Sequence, residues 1–187
     1  MRRQSHKQML QRYLKERQRN VLARPGVHPF VVVLDHLKAG YNVAKIFRSA
    51  EAFGARAVHL VGIGPFDPAP AKGALRKVPA RFHEGFAGCH RQLREEGYTL
   101  FVLDPAGETP LHRAELPERS AFVFGHEEFG MSFAAADYPD IRRLAIPQYG
   151  NVQSLNVSIA ASIVMYEYLR REGAGGVFRF DMQGEKD

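Results

Sequence analysis

Residues 146–168, IPQYGNVQSLNVSIAASIVMYEY, decide how this 187-residue chain is interpreted. An apolar strand end meets Pro147, and a loop of small and amide residues precedes a long run of Ala, Ile, Val and Met. The hydrogen-bonding side chains of that loop are Gln148, Asn151, Gln153, Ser154, Asn156 and Ser158. A connection between a core strand and a core helix does not need so many, whereas a site that holds a polar ligand at a helix start does. The stretch therefore predicts a strand, a ligand loop and a buried helix.

The rest of the chain alternates between apolar runs of strand length and patterns of helical period. The predicted strands are 30–34, 58–61, 99–103, 121–124 and 142–146, and the predicted helices of the body are 42–53, 82–96 and 154–171. Uninterrupted apolar strands that are separated by helices are typical of a parallel sheet buried on both faces. The sequence therefore predicts an α/β fold with a parallel sheet between layers of helices.

The positive charge of the chain is concentrated near its N-terminus. The formal net charge is +6, and residues 1–24 carry eight Lys or Arg against the single acid Glu16, so this segment is +7 and the remainder about −1. Apolar residues at near-helical spacing predict an amphipathic helix that ends at Arg24-Pro25-Gly26. A concentrated cationic helix indicates a polyanion partner. A membrane-surface helix is the alternative, but the apolar stripe is short and lacks Trp and Phe.

These patterns divide the chain into a basic helical extension at 1–26, a sheet domain at 27–172 and a tail at 173–187. The tail is either a short β-like segment at 177–180 or disordered. With one cysteine, Cys89, no apolar run long enough to span a bilayer and no apolar core of a signal peptide, we expect a cytoplasmic protein without a membrane partner. Cys89 is interpreted as a packing or surface residue.

No metal is expected from the sequence. His126-Glu127 resembles the start of a zinc-binding helix, but the residue four positions after His126 is Gly130, so the second ligand is missing. Ligands of parallel α/β sheets bind beyond the carboxyl ends of the strands, which directs attention to the segments that follow them.

Three of these segments carry recognisable spacings. The first is Asn42 with Arg48 six residues later, and the second is Gly125-x-Glu127-x-x-Gly130. The third is Ile146-Pro147-x-x-Gly150-x-x-x-Ser154-Leu155-Asn156-Val157-Ser158. Together they resemble the SPOUT superfamily of S-adenosylmethionine-dependent RNA methyltransferases, in particular the SpoU/TrmH type that methylates ribose 2′-oxygens. Val43 and Gln148 stand where that family often has Gly and Met, and these departures bear on the substrate more than on the reaction.

The resemblance implies a fold and an assembly that residue patterns alone do not give. The C-terminal third would form a deep trefoil knot that holds S-adenosylmethionine, and two copies would pair with the active site at their interface. The apolar helix 159–169 would supply dimer contacts, with plain intradomain core as its alternative. The RNA would be tRNA or rRNA, with tRNA favoured because no large additional RNA-binding module is evident.

The resemblance also implies roles for individual residues. Arg48, Asn42, Glu127 and Asn156 would be catalytic. Because arginine hardly deprotonates, Arg48 is expected to clamp the substrate phosphate while the phosphate or a water receives the 2′-hydroxyl proton. Backbone groups of Leu103, Gly125, Ile146, Ser154 and Leu155 would bind the cofactor. RNA phosphates would be bound by Arg12, Lys15, Arg19, Lys72, Arg76 and Lys77, which gives affinity rather than sequence choice.

Three alternatives remain open at this point. A non-catalytic RNA-binding protein of the same fold would fail to bind the methyl donor. A flavodoxin-like small-molecule enzyme would leave the basic helix unexplained. Base methylation stays open within the family, although the Asn42 and Arg48 pattern favours ribose.

Overall fold

The computed structural model describes residues 2–172, with side chains from residue 6 to residue 171. Seven strands form one sheet in the order β3-β2-β1-β6-β4-β7-β5, and every neighbouring pair is parallel. The strands are β1 (Val31–Asp35), β2 (Ala57–Val61), β3 (Ala80–His83), β4 (Thr99–Leu103), β5 (Thr109–Pro110), β6 (Ser120–Phe124) and β7 (Arg142–Ala145). The helices are α1 (Arg2–Asn20), α2 (Tyr41–Ala52), α3 (Phe86–Glu95) and α4 (Val157–Glu172). The predicted α/β class with a parallel sheet is confirmed.

The central strands are buried on both faces, which explains their continuous apolar sequences. Along β1, Val32 and Leu34 belong to the core formed with α2 and α4, whereas Val31 and Val33 belong to the core formed with α3. Side chains of a strand point alternately to its two faces, so both sets must be apolar when helices cover both. The helices therefore form a layer on each side of the sheet.

The basic helix α1 is anchored on the body of the protein. Tyr13 is 2% exposed and meets the edge of Phe66 at 5.2 Å, and Phe66 in turn stacks on Phe47 of α2. At the helix end, the buried Asn20 donates to the carbonyl oxygens of Leu75 and Val78 and accepts from the backbone N–H of Ala80. The helix ends at Asn20, before the Arg24-Pro25-Gly26 stop expected from the sequence.

The largest departure from the sequence prediction lies at 80–96. A single helix was expected from residue 82, but Ala80–His83 form the edge strand β3, and α3 begins only at Phe86 after an extended Gly85. An edge strand has one solvent-facing side, so its mixed apolar and polar residues do not give the continuous run of a central strand. The two-residue strand β5 was also missed, and segment 177–180 lies outside the described residues.

Helix α4 begins later than its apolar sequence suggested. The expected start was residue 154, but the helix starts at Val157 because Asn156 caps it. The Asn156 Oδ1 accepts hydrogen bonds from the Ser158 N–H at 2.9 Å and the Ser158 hydroxyl at 2.6 Å, which is the usual role of Asn at a helix start. Between residues 2 and 172, none of the helices has the length and apolar character that a membrane span needs.

Candidate active site

A pocket of about 580 Å³ opens at the carboxyl ends of β4, β6 and β7. This is the edge of the sheet at which parallel α/β folds bind ligands. Its lining residues are Val102, Leu103, Asp104, Pro105, Phe124, Gly125, His126, Glu127, Gly130, Met131, Ile146, Gln148, Ser154, Leu155, Asn156, Val157 and Ala160. The structure therefore places all five residues predicted to bind the cofactor around one cavity, together with Glu127 and Asn156.

An amide network joins three of the four predicted catalytic residues. Asn42, in the first turn of α2, donates from Nδ2 to Glu127 Oε1 at 2.8 Å. Asn156 donates from Nδ2 to Asn42 Oδ1 at 3.3 Å, while its own Oδ1 caps α4. The network thus ties the loop after β6 to the starts of two helices. Farther along these helices, the hydroxyls of Ser49 and Ser162 lie 2.8 Å apart.

Glu127 is held as a carboxylate within this network. Its partial burial raises the pKa, but the hydrogen bond from Asn42, backbone N–H groups and the nearby His126 outweigh burial, so the pKa of Glu127 is lowered overall. An ionised carboxylate only accepts hydrogen bonds, which fixes the Asn42 amide with its NH₂ toward Glu127 and its oxygen toward Asn156. Glu127 therefore orients Asn42.

Arg48, the fourth predicted catalytic residue, does not take part in this hydrogen-bond network. It lies on α2, six residues after Asn42 and therefore about 9 Å farther along the helix axis. Its side chain is exposed and forms no hydrogen bond or ion pair with any described residue. An unpaired guanidinium can bind a carboxylate or phosphate with two parallel hydrogen bonds.

The segment that follows β6, here called the 125–132 loop, is held by its own hydrogen bonds. His126 and Gly130 exchange two backbone bonds of 2.7 and 2.9 Å. The Ser132 N–H and hydroxyl both donate to the fully buried Asp35 carboxylate, at 2.6 and 2.7 Å. A Cβ on Gly125 would lie 2.6 Å from the Gly130 backbone, so only glycine permits this crossing. The sequence alone did not indicate a role for Asp35.

The segment that follows β7, here called the 147–155 loop, lacks such bonds. None of its residues forms a hydrogen bond with the described chain, and Tyr149 and Val152 are 98% and 65% exposed. The Gln148 Oε1 is buried without a hydrogen-bond partner among the described residues, and Gln148 lines the pocket. Asp104 and Met131 were not among the predicted site residues, although Asp104 directly follows β4. Gln148 was predicted as a polar side chain of the ligand loop, but without a role of its own.

The predicted RNA-binding residues lie on adjoining elements outside the pocket. Arg12, Lys15 and Arg19 are exposed on α1, which packs against the short helix Ala74–Arg76. Lys72, Arg76 and Lys77 are exposed in and beside that helix. Lys77 forms an ion pair with Glu51 at 2.9 Å, and Arg19 lies 3.9 Å from Glu16. The two groups of cations therefore belong to neighbouring surfaces.

The sequence of this chain is similar to those of enzymes named as RNA methyltransferases. The 23S rRNA (guanosine-2′-O-)-methyltransferase RlmB of Neisseria meningitidis is 31% identical over 157 residues, 81% of this chain and 62% of that enzyme. The tRNA (guanosine(18)-2′-O)-methyltransferase of Thermus thermophilus is 28% identical over 79% of this chain and 77% of that enzyme. The chain spans less than two thirds of the length of the RlmB proteins that it matches.

Comparison with solved structures identifies a methyltransferase of the same fold. The SpoU methyltransferase AviRb of Streptomyces viridochromogenes, solved in complex with AdoMet, superposes with a TM-score of 0.72 at 24% identity, over 81% of this chain and 61% of AviRb. The sequence model of the SpoU rRNA Methylase family matches residues 29–166. This range includes all three motifs and most of the chain. The chain belongs to the SpoU rRNA methylase family.

Proposed function

We propose that this protein is an S-adenosylmethionine-dependent methyltransferase that modifies the ribose 2′-hydroxyl of a tRNA or rRNA nucleotide. The observation that carries the proposal is the pocket at the carboxyl ends of β4, β6 and β7, with the Glu127–Asn42–Asn156 network at its rim. The relatives in Neisseria and Thermus, which are named as RNA guanosine 2′-O-methyltransferases, support the same reaction.

The residues of the pocket suit a cofactor such as S-adenosylmethionine, which supplies the methyl group. Its 580 Å³ volume falls within the range of about 300–1,000 Å³ typical of ligand sites. The unpartnered Gln148 Oε1 offers a buried hydrogen-bond acceptor, and Gly125 leaves the backbone open to close approach. Backbone groups of Leu103, Gly125, Ile146, Ser154 and Leu155 would hold the cofactor. The AdoMet complex of AviRb, which has this fold, is in line with that assignment.

The catalytic task is to position a weak nucleophile and remove its proton. In this proposal the unpaired Arg48 binds the phosphate next to the target ribose. Because the guanidinium stays charged, a phosphate oxygen or a water accepts the 2′-hydroxyl proton. Asn42, oriented by Glu127, places Arg48 or the ribose, and Asn156 joins this network to the start of α4.

We also propose that the C-terminal third forms a deep trefoil knot. Strand β7 lies between β4 and β5, which are consecutive in the chain. The short link from β4 to β5 passes tightly against β7: Asp104 N–H donates to the Leu144 carbonyl, and a Cβ on Gly107 would lie 2.6 Å from the Leu144 backbone. Such crossing connections are rare in folds, and this one supports a knotted path.

A homodimer is proposed from an apolar face on α4. Ile159, Ile163 and Tyr166 are 53%, 37% and 59% exposed, and their spacing places them on one side of the helix. A contiguous apolar face of this kind is typical of an interface, and a two-fold pair would bring α4 against itself. Light scattering tests the mass in solution, and Ile163→Glu should shift the protein toward the monomer.

Among RNA substrates, we propose tRNA before rRNA, because the chain covers a larger share of the Thermus tRNA enzyme than of RlmB. Residues 1–26 would form a basic RNA-binding extension of a methyltransferase domain at 27–172, followed by a tail at 173–187. A cytoplasmic location fits an RNA substrate and a chain with one cysteine.

The test is transfer of a labelled methyl group from S-adenosylmethionine to bulk tRNA and to rRNA. Nuclease digestion of the product then separates 2′-O-methylated nucleotides from base-methylated ones. The proposal predicts label on ribose. Label on a base would show that the enzyme methylates a base instead of the ribose. RNA binding without cofactor binding or methyl transfer would support the non-catalytic alternative.

A further inference from the structure

Three metal-ligating side chains converge at the opposite end of the sheet from the pocket. His59 of β2, His83 at the end of β3 and Cys89 of α3 place one nitrogen or sulfur atom each within 4.8 Å of the others. His59 Nδ1 lies 2.9 Å from His83 Nε2 and 3.8 Å from Cys89 Sγ. His59 and Cys89 are buried, and His83 is half-buried. Strand β1 lies between β2 and β6, which is the nearest of the strands whose ends line the pocket.

Two of the three separations are close to those that a tetrahedral ion requires, and the third, between His83 Nε2 and Cys89 Sγ, lies within 4.8 Å. Zinc bonds of about 2.0–2.1 Å to nitrogen and 2.3 Å to sulfur put two nitrogens ~3.3 Å apart and nitrogen and sulfur ~3.6 Å apart. The observed 2.9 and 3.8 Å differ from these separations by a few tenths of an ångström. Small rotations of two imidazoles would make up the difference.

The surroundings of the cluster also suit a cation. The pKa of the Cys89 thiol is raised to about 12, mainly by burial and in addition by the charges of Asp35 and Glu96. The same two carboxylates that disfavour a bare thiolate favour a divalent ion that neutralises it. The pKa of His59 is lowered to about 3, mainly by burial, and burial also lowers the pKa of His83. The charges of His83 and Arg81 lower the pKa of His59 in the same direction as burial.

We propose that His59, His83 and Cys89 form a structural Zn²⁺ site. The ion would displace the thiol proton to solvent, while the imidazole proton between the two rings would move to the ring nitrogen that faces away from the ion. A water on the half-buried His83 side would complete four ligands. It would join the edge strand β3 and helix α3 to β2. Edge strands have one hydrogen-bonded neighbour, so a metal link there strengthens the least supported part of this half of the sheet.

The experiment uses the untagged full chain after removal of metals with a chelator. Co²⁺ is titrated as the spectroscopic probe, because bonding to a thiolate gives a charge-transfer band that imidazoles alone do not give. Zn²⁺ should then displace Co²⁺ with a stoichiometry of one and raise the melting temperature. Cys89→Ser should abolish the charge-transfer band, and His83→Gln should weaken Zn²⁺ binding by at least about tenfold, since even outer-shell changes cost that much.

His90→Gln is the matched control, because His90 neighbours Cys89 on α3 but pairs with Asp140 instead. It should bind both metals as the wild type does. His83 is half-buried, so its variant keeps the proposal testable if Cys89→Ser does not fold, as circular dichroism would reveal. The proposal is overturned if the wild type shows no thiolate band, or if His83→Gln and His90→Gln bind Zn²⁺ equally well.

Discussion

The 125–132 loop and the 147–155 loop line the same pocket, but the chain fixes them to different degrees. The first is closed by two backbone bonds between His126 and Gly130 and tied to the buried Asp35 through Ser132. The second forms no hydrogen bond with the described residues, exposes Tyr149 almost completely and buries the Gln148 Oε1 without a partner.

The difference separates two kinds of functional group. Polar groups that are satisfied within the chain orient the site and contribute to stability, whereas unpaired ones keep their hydrogen bonds for a ligand. The same division runs through the predicted catalytic residues, because Asn42 and Glu127 are paired and Arg48 is not. Changes to the paired groups should therefore alter stability, and changes to the unpaired groups should alter binding or turnover alone.

The largest expected effect is that of Arg48→Ala. Loss of the phosphate clamp should lower methyl transfer by about 10²–10⁴-fold, the usual contribution of a positioned group in proton-transfer chemistry. Because Arg48 has no partner among the described residues, the melting temperature and S-adenosylmethionine affinity should stay unchanged. Single-turnover methyl transfer, calorimetry and thermal unfolding measure the three quantities.

Arg91→Ala is the control for that experiment, since Arg91 is an exposed cation on α3, on the other face of the sheet. It should retain full activity. Near-normal turnover of Arg48→Ala would remove Arg48 from the mechanism. A large drop in its melting temperature would instead show that Arg48 belongs with the paired groups.

A pair of glycine substitutions compares the two loops directly. The added methyl of Gly125→Ala would meet the Gly130 backbone at 2.6 Å, whereas nothing lies within 4 Å of the same atom on Gly150. Gly125→Ala should destabilise the fold by about 1–3 kcal/mol, as overpacking does, and weaken cofactor binding about tenfold or more. Gly150→Ala should change stability by less than about 0.5 kcal/mol. Urea unfolding and calorimetric titration measure both effects, and equal behaviour of the two variants would contradict the distinction.

The sequence could predict this site because its residues occupy regular positions relative to strands. Runs such as 99–103 and 121–124 are largely apolar, so their ends are visible, with Leu103 as the last residue of the first run and Gly125 directly after the second. Parallel strands carry such ends to one edge. Their placement around one pocket agrees with the prediction, while their roles remain predictions.

Other features depend on contacts between distant segments, for which the sequence holds no periodic pattern. The tie between Asp35 and Ser132 and the meeting of His59, His83 and Cys89 are of this kind. The edge strand β3 was read as helix because its half-exposed residues lack a continuous apolar run. Likewise, the basic composition of α1 indicated a surface helix but not that Tyr13 enters the core.

A third prediction concerns the exposed cations of α1 that are proposed to bind RNA. Deletion of residues 1–24 would also remove Tyr13 and Asn20 from their packing, so substitution is the cleaner test. Arg12, Lys15 and Arg19 changed together to Gln should weaken RNA binding about tenfold and reduce the slope of log affinity against log salt by about 2–3. Gln keeps good helix propensity, so the melting temperature should not change.

Filter binding at several salt concentrations measures that slope. Gln11→Ala, an exposed position of the same helix that carries no charge, is the control and should bind RNA normally. An unchanged slope in the triple variant would place the RNA elsewhere on the protein.

The smallest effect is expected far from both loops, at Glu167 of α4. Its carboxylate accepts hydrogen bonds from Arg170 and Arg171, and Arg171 also donates to the Leu111 and Ala114 carbonyl oxygens. The hydrogen bond from Arg170 is the main cause that lowers the pKa of Glu167 from 4.5 to about 2, with burial opposing it and Arg171 assisting. Glu167→Gln should therefore reduce the free energy of unfolding by about 1 kcal/mol at pH 7 without changing methyl transfer.

The sign of the pH dependence follows from the lowered pKa. A carboxyl group whose folded pKa lies below its unfolded value stabilises the fold above about pH 4.5, and this contribution is lost as the pH falls toward 2. The stability difference between wild type and Glu167→Gln, measured by urea unfolding, should therefore narrow from pH 5 to pH 3. Glu95→Gln, an exposed acid on α3, should show no such trend. A constant difference across this range would mean that the Glu167 charge adds nothing, and a loss of activity would place Glu167 among the groups that serve the pocket.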